Sequence, residues 1–226
     1  MQQEIQIPHE VPVMTLSNAV LFPQAILPLH IFEPRYRTML GEVLAGNRIF
    51  AIAALDDSNE ANQAQETPHT IAGIGVVRAC HTNDDGTSNL VLQGLARVQL
   101  DAITTELPYR KARIHPIHSE RDASPSDLAT IKAEIIELVE SQIALDAPIP
   151  KEVLSFLQTI QDSEGMLDIS IATLCASGEI KQQLLETRGI YARFEGFKRF
   201  MLDEIEQLKL EKELKGGLGD DSVGNN

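Results

Sequence analysis

With six histidines and 33 acidic side chains in 226 residues, the chain has material for acid–base pairs and metal sets, and spacing decides whether it builds any. His115 and His118 in "YRKARIHPIH" form an HxxH pair. A zinc site needs further thiolate, imidazole or carboxylate ligands at compatible spacing. None accompanies this pair, which reads as two imidazoles at an exposed strand end. Cys80 and Cys175 make no CxxC and read as buried, reduced thiols of a cytosolic protein. Glu33, between an apolar run and a helix start, is the most suggestive single acid. A general acid–base pair needs two environments that push two pKa values apart. Glu33 is better placed to complement a helix N-terminus, and His30 reads as a satisfied, half-buried histidine. The chain lacks GxxxxGK[ST], HExxH and GxSxG. "GIGVVR" (73–78) lacks the third glycine of a dinucleotide fingerprint and lies in a strand pattern. No catalytic, cofactor-binding or metal-binding residue is assigned on these grounds, and no cofactor is expected.

Composition narrows the partners. Hydrophobic residues make up 43% and charged residues 23%, as in ordinary globular domains. The net charge of −14 disfavours nucleic acid and anionic membranes, which both attract Lys and Arg. "MQQEIQIPHE" has no basic region leading into an apolar run, so it does not read as a signal peptide. From Val11 to Phe32 there is no charged residue, long enough to span a bilayer. Pro12, Pro23 and Pro28 would release backbone groups that lipid cannot satisfy. The stretch therefore reads as buried core of a cytoplasmic protein, with no membrane partner.

Those side chains must be positioned by two kinds of element. "VPVMTL" (11–16) alternates as a half-buried strand, with Val11, Val13 and Thr15 on one face. "AILPLHI" (25–31) is a second extended run, in which Pro28 requires an edge or a bulge. Pro34 fits the first helical position of "EPRYRTMLGEVLAGN", and Tyr36, Met39, Leu40, Val43 and Leu44 form one apolar face. Gly46-Asn47 predicts a left-handed stop. "RIFAIAAL" (48–55) is a buried strand, and the acidic stretch 56–70 an exposed or disordered loop. Strands follow at 70–81 and 88–101, joined by the hairpin signal "NDDG", then at 109–118. Gly94 predicts a bend that splits the longer strand. After Ser119, Ser124 caps a helix with Pro125 in its first turn and Asp127 completing the box. Leu128, Ile131, Ile135 and Leu138 line its inner face. Helices are predicted near 150–161, 165–176, 178–187 and 190–214, the last burying Phe194, Phe197, Met201, Ile205 and Leu208.

The fold class is thus α+β: a curved, barrel-like sheet over 1–118, a helical part over 119–215 and an unstructured tail over 216–226. The helical seam from Phe194 to Leu208 is too short for a coiled coil, so a monomer is expected rather than a homodimer.

"VPVMTLSNAVLFPQAILPLHIFEPRYRTML" (11–40) closely resembles the opening of the N-terminal domain of the Lon protease family. Segments 73–100, with a DG hairpin and G-x-x-R, 109–114 and 168–205 resemble the family's later parts in order and spacing. The resemblance implies a pseudo-barrel like that of PUA domains followed by a helical bundle. It also implies the substrate-recognition part alone, without the family's ATPase and Ser–Lys peptidase, so neither ATP hydrolysis nor peptide cleavage is expected. Pro28, Glu33, Pro34, Arg35, Tyr36, Gly94 and Arg97 fall on motif positions and read as structural, Arg97 as a buried or rim cation.

The expected function is a non-catalytic module that binds peptide segments or partially unfolded proteins, with a protease or chaperone as further partner. Phe22, Pro23 and Leu29, where apolar side chains meet broken strand pairing, are the expected contacts. An acidic rim would favour basic or neutral clients. The alternative is a small-molecule-binding domain or enzyme with a pocket between barrel and helices. Clustering of His30, Glu33 and Arg97 would be its sign.

Overall fold

The computed structural model describes residues 6–58 and 66–217, with side chains to 214. The loop reading for 59–65 and the tail reading beyond 217 lie outside the described residues. The chain divides into two compact units, Met1–Ser119 with Ile171–Arg188, and Glu120–Ser170 with Gly189–Asn226. The boundary after the strands falls where composition changes. The segment Ile171–Arg188, however, groups with the strands and not with the helices flanking it.

The first unit holds one six-stranded sheet: β1 (Glu10–Leu16), β2 (Ile26–Ile31), β3 (Ile49–Ala54), β4 (Ile71–Thr82), β5 (Ser88–Thr105) and β6 (Arg110–Ile117). The order is β2-β5-β4-β3-β1-β6, and an additional β5–β6 pairing closes the last five strands on themselves. β1 and β3 run parallel, with Val13 opposite Ala51, and the other pairs are antiparallel. Inside lie Val11, Val13, Ile49, Ala51, Ile74, Val98 and Ile114. Strand alternation sends the intervening residues, Met14, Phe50 and Ile52, to a second cluster outside. This explains the unbroken apolar run of β3, whose six residues are all buried.

Helix α1 (Pro34–Ala45) covers that outer cluster with Tyr36, Met39, Leu40 and Val43. Pro34 sits in its first turn as expected. The helix does not stop in the left-handed region at Gly46, whose φ is −104°. Arg48 takes the positive φ of 65° instead, while Asn47 Oδ1 accepts from Ile49 N (3.0 Å). The "NDDG" turn forms as read, with Gly86 at φ 79°. Helix α5 (Gly178–Glu186) returns to this unit, where Gln182 Nε2 donates to the Ile71 carbonyl of β4 (2.9 Å).

The second unit holds α2 (Pro125–Ala144), α3 (Lys151–Thr159), most of α4 (Ser163–Leu174) and α6 (Ile190–Gly217). The Ser124–Asp127 capping box is complete. Ile131, Ile135 and Val139 of α2 and Phe194, Phe197 and Met201 of α6 are buried, and α2 packs on α6 and α3. Leu128 and Leu208 are only half-buried. Arg193 is 0% exposed; its guanidinium meets Glu164 (2.8 Å) and Asp168 (3.2 Å). Asp122 accepts from the first backbone amides of α6, Tyr191 N (2.8 Å) and Ala192 N (3.1 Å). Partial burial opposes its ionisation, but these donors outweigh it and hold the carboxyl below its ordinary pKa. No helix among the described residues is long and apolar enough to cross a membrane.

Candidate functional site

The uncharged stretch that opens the chain splits at Ala25. Between Asn18 (φ 60°) and Gln24 (φ 62°) the chain dips into the unit, burying Val20, Leu21 and Phe22. Two glycines admit it. A Cβ at Gly94 would lie 1.9 Å from the Phe22 carbonyl oxygen, and one at Gly73 would lie 1.9 Å from that of Leu21. Gln24 N donates to Gly94 O and Gly94 N to Ala25 O, each at 2.9 Å. Gly94 therefore does not split a strand. It lies within continuous β5, just where that strand exchanges β2 for β6 as its neighbour.

Phe22 is 0% exposed, which corrects its reading as a peptide contact: a ring enclosed in the core has no face left for a ligand. Pro23 is half-buried in the same turn. Leu29 is half-buried: it packs on the outer core cluster and also lines the groove beside β2.

The outward face is another matter. β2 pairs with β5 on one side and ends the sheet on the other, as Pro28 required. Along it Ile26, Pro28 and His30 point outward in strict alternation, and Phe32 follows. Ile26 is 57% and Phe32 61% exposed. His30 and Phe32 stack at 6.0 Å between ring centroids, and His30 Nδ1 donates to Asn89 Oδ1 (2.8 Å). Register carries the face across the sheet: Pro28 lies opposite Val91, and Val91 opposite Ala79. A shallow groove of about 480 Å³ runs there, lined mainly by apolar atoms of Pro28, Leu29, Ala79, Cys80 and Val91, with His30 and His81 at its side. Exposed apolar groups beside an unpaired strand edge are the chemistry that accepts an extended peptide.

The remaining motif residues have separate partners. Glu33 precedes α1 without capping it through its side chain; its carboxylate accepts from Arg35 Nε (2.9 Å). Arg35 also reaches Glu66 (2.9 Å) and lies over the Tyr36 ring. Partial burial opposes its charge, yet those carboxylates and Tyr36 raise its pKa above the ordinary value. Tyr36 Oη donates to the Thr15 carbonyl (3.1 Å) and receives Thr15 N–H (3.2 Å), tying α1 to β1. Arg97 is buried and its Nη1 donates to the Ser119 hydroxyl (2.9 Å). His30, Glu33 and Arg97 are thus each engaged with a different partner, and the structure does not gather them into one site. His115 bonds Asp101 (2.8 Å) at the surface, and among the described residues no set of three potential ligands converges on a metal position.

Sequence reasoning missed Ile26, His30 and Phe32 as a surface. The signal was present as the two-residue period of "AILPLHIF". Its parity, meaning which set faces out, depends on what covers the strand.

Comparison with known proteins agrees with this architecture. The family model described as "ATP-dependent protease La (LON) substrate-binding domain" matches residues 10–207. The Lon protease of Desulfosudis oleivorans is 26% identical over 96% of this chain and 26% of its own length. That of Flavobacterium johnsoniae is 24% identical over 93% of this chain and 26% of its own. The chain thus spans about a quarter of these relatives. Among solved structures, the N-terminal domain of Mycobacterium avium complex Lon protease superposes with a TM-score of 0.65 at 18% identity, covering 87% of this chain and 98% of that one. A Lon N-terminal domain protein from Xanthomonas campestris gives 0.59 at 16% identity, covering 83% and 96%.

Proposed function

The chain belongs to the LON substrate-binding domain family, and from that premise we propose that it binds extended segments of unfolded or partly folded polypeptides without catalysing their cleavage. The observation that carries this reading is the outward face of β2, where exposed Ile26 and Phe32 flank Pro28 and His30 on a strand with an open edge. An extended segment laid along that edge would gain backbone hydrogen bonds, and its alternate side chains would rest against exposed Ile26, Pro28 and Phe32. Such a face reads apolar character and extended geometry and not a fixed sequence, which suits a recogniser of unfolded chains. The substrate-binding description of the family supports the same reading, and the relatives' ATPase and peptidase chemistry is not assigned to residues of this chain.

The test is fluorescence anisotropy of a labelled, reduced and alkylated unfolded protein titrated with the wild type and with an Ile26→Ser/Phe32→Ser variant. Binding at tens of micromolar or tighter, weakened at least tenfold in the variant at unchanged melting temperature, is expected. Absence of wild-type binding over that range, or equal binding by the variant, would overturn the proposal.

A further inference from the structure

Proline and register together fix which backbone groups of β2 face its open side. β2 and β5 pair antiparallel without a break from Ile26 opposite Gln93 to Ile31 opposite Ser88. In such a ladder alternate residues bond the neighbour, and the rest point their N–H and C=O away from it. Pro28 has no N–H, so it cannot belong to the bonded set. Leu27, Leu29 and Ile31 therefore bond β5. The same series begins at Ala25, whose carbonyl accepts from Gly94 N (2.9 Å). Ile26, Pro28 and His30 are left facing the open edge.

That edge is unequal in donors and acceptors. It offers three carbonyls, those of Ile26, Pro28 and His30, but only two N–H groups, those of Ile26 and His30. Among the described residues none of these backbone groups takes a hydrogen bond outside the sheet. The side chains of the same three residues share the outward face, with Ile26 exposed at one end and Phe32 just beyond the other. No Asp, Glu, Lys or Arg occurs from Val11 to Phe32. A charged side chain laid against this face would lose water without gaining a partner.

In an antiparallel strand added here, the residues opposite Ile26, Pro28 and His30 exchange backbone bonds with them and set their side chains on the same face. Each must donate an N–H to a β2 carbonyl, and the one opposite Pro28 receives no bond in return. The intervening residues turn their N–H groups to solvent. We propose that β2 selects polypeptide segments with the pattern apolar-x-apolar-x-apolar, added antiparallel. The apolar residues are uncharged and are not proline, whereas x tolerates proline for the reason that Pro28 itself is tolerated. The antiparallel direction follows from the slightly greater stability per residue of that pairing. Pro28 also protects the edge from a second copy, because two β2 strands paired about Pro28 would make no bond at the central pair. The inference rests on the polypeptide reading above and adds to it the pattern that is read.

The probe is the end-blocked peptide Lys-Thr-Leu-Thr-Phe-Thr-Leu-Thr-Lys, competed against the labelled unfolded client in the anisotropy titration of the full chain. Methylating the backbone nitrogen of its Phe removes one N–H of the series that faces β2. Methylating that of the adjacent Thr removes an N–H that faces solvent and controls for the methyl group itself. The methyl on Phe should weaken binding about tenfold, the scale of one lost hydrogen bond whose acceptor is left unmet. The methyl on Thr should change it by no more than about twofold. By NMR, amide exchange should slow at Ile26 and His30 on binding and stay unchanged at Leu27 and Leu29, which already bond β5. Equal losses from the two methyl groups, a larger loss from that on Thr, or unslowed exchange at Ile26 and His30 would overturn the inference. So would a parent peptide that fails to compete while the unfolded client still binds. Failure of the unfolded client itself to bind would instead remove the polypeptide reading on which this one rests.

Discussion

Leu21 and Phe22 lie only a few residues before Ile26 and Phe32 in one uncharged stretch, yet the two pairs meet opposite environments. The first pair is sealed beneath backbone that only Gly73 and Gly94 allow to approach. Each such side chain contributes about 1.5–3 kcal/mol by leaving water. The second pair stays in water, on a strand that ends the sheet among the described residues. Burial of the first gives the fold rigidity, and exposure of the second is tolerated only because the sheet beneath it is already stable. Apolar character alone does not separate a core from a recognition face; what covers each residue does.

The strongest way to break this comparison is to exchange the consequences of the two phenylalanines. Phe22→Ala should destabilise the protein by about 3–5 kcal/mol, as a truncated buried aromatic does, read as the shift in urea unfolding. Gly94→Ala places a Cβ against the Phe22 carbonyl and should cost about 1–3 kcal/mol, toward the upper end because backbone must move. Its signature in hydrogen exchange would be loosened protection around 20–25.

Exposure and structural irrelevance are not the same thing, and Asp122 sharpens that point. Although exposed, its carboxylate caps the backbone amides of α6, so Asp122→Ala should cost about 1 kcal/mol at neutral pH, the usual scale of a lost cap. Its folded pKa lies below the unfolded value. The ionised form thus stabilises the fold above the unfolded pKa of about 3.9, and the gain is lost as pH falls through the folded value. Wild type and variant should therefore differ in unfolding midpoint near pH 7 and converge at acid pH. Smallest of all in stability is Phe32→Ser, expected within about 0.5 kcal/mol of wild type. Calorimetry should show no shift where the anisotropy titration shows lost client binding.

Much of the fold was legible because its signals are local. The Ser124–Asp127 box, Pro34 at a helix start and the Asp-Gly hairpin each act through neighbouring backbone, and all appear as read. The candidate site was less legible because its signals are not local. Telling buried Phe22 from exposed Ile26 and Phe32 requires knowing that the segment before β2 fills the space over Gly94, a contact between positions some 70 apart in sequence. Glu33 does stand at the N-terminus of α1, but its carboxylate takes its hydrogen bond from Arg35 of the first turn and not from a backbone amide. The grouping of Ile171–Arg188 with the strands likewise involves contacts distant in sequence, among them the bond from Gln182 to Ile71.

The central claim, that the outer edge of β2 receives polypeptide, is tested most directly by hydrogen–deuterium exchange of the protein with and without a saturating unfolded client. The account predicts slowed exchange concentrated in residues 26–32, with little change at 20–25, which is already enclosed. Saturated binding that leaves 26–32 unprotected, or protects another surface instead, would contradict it.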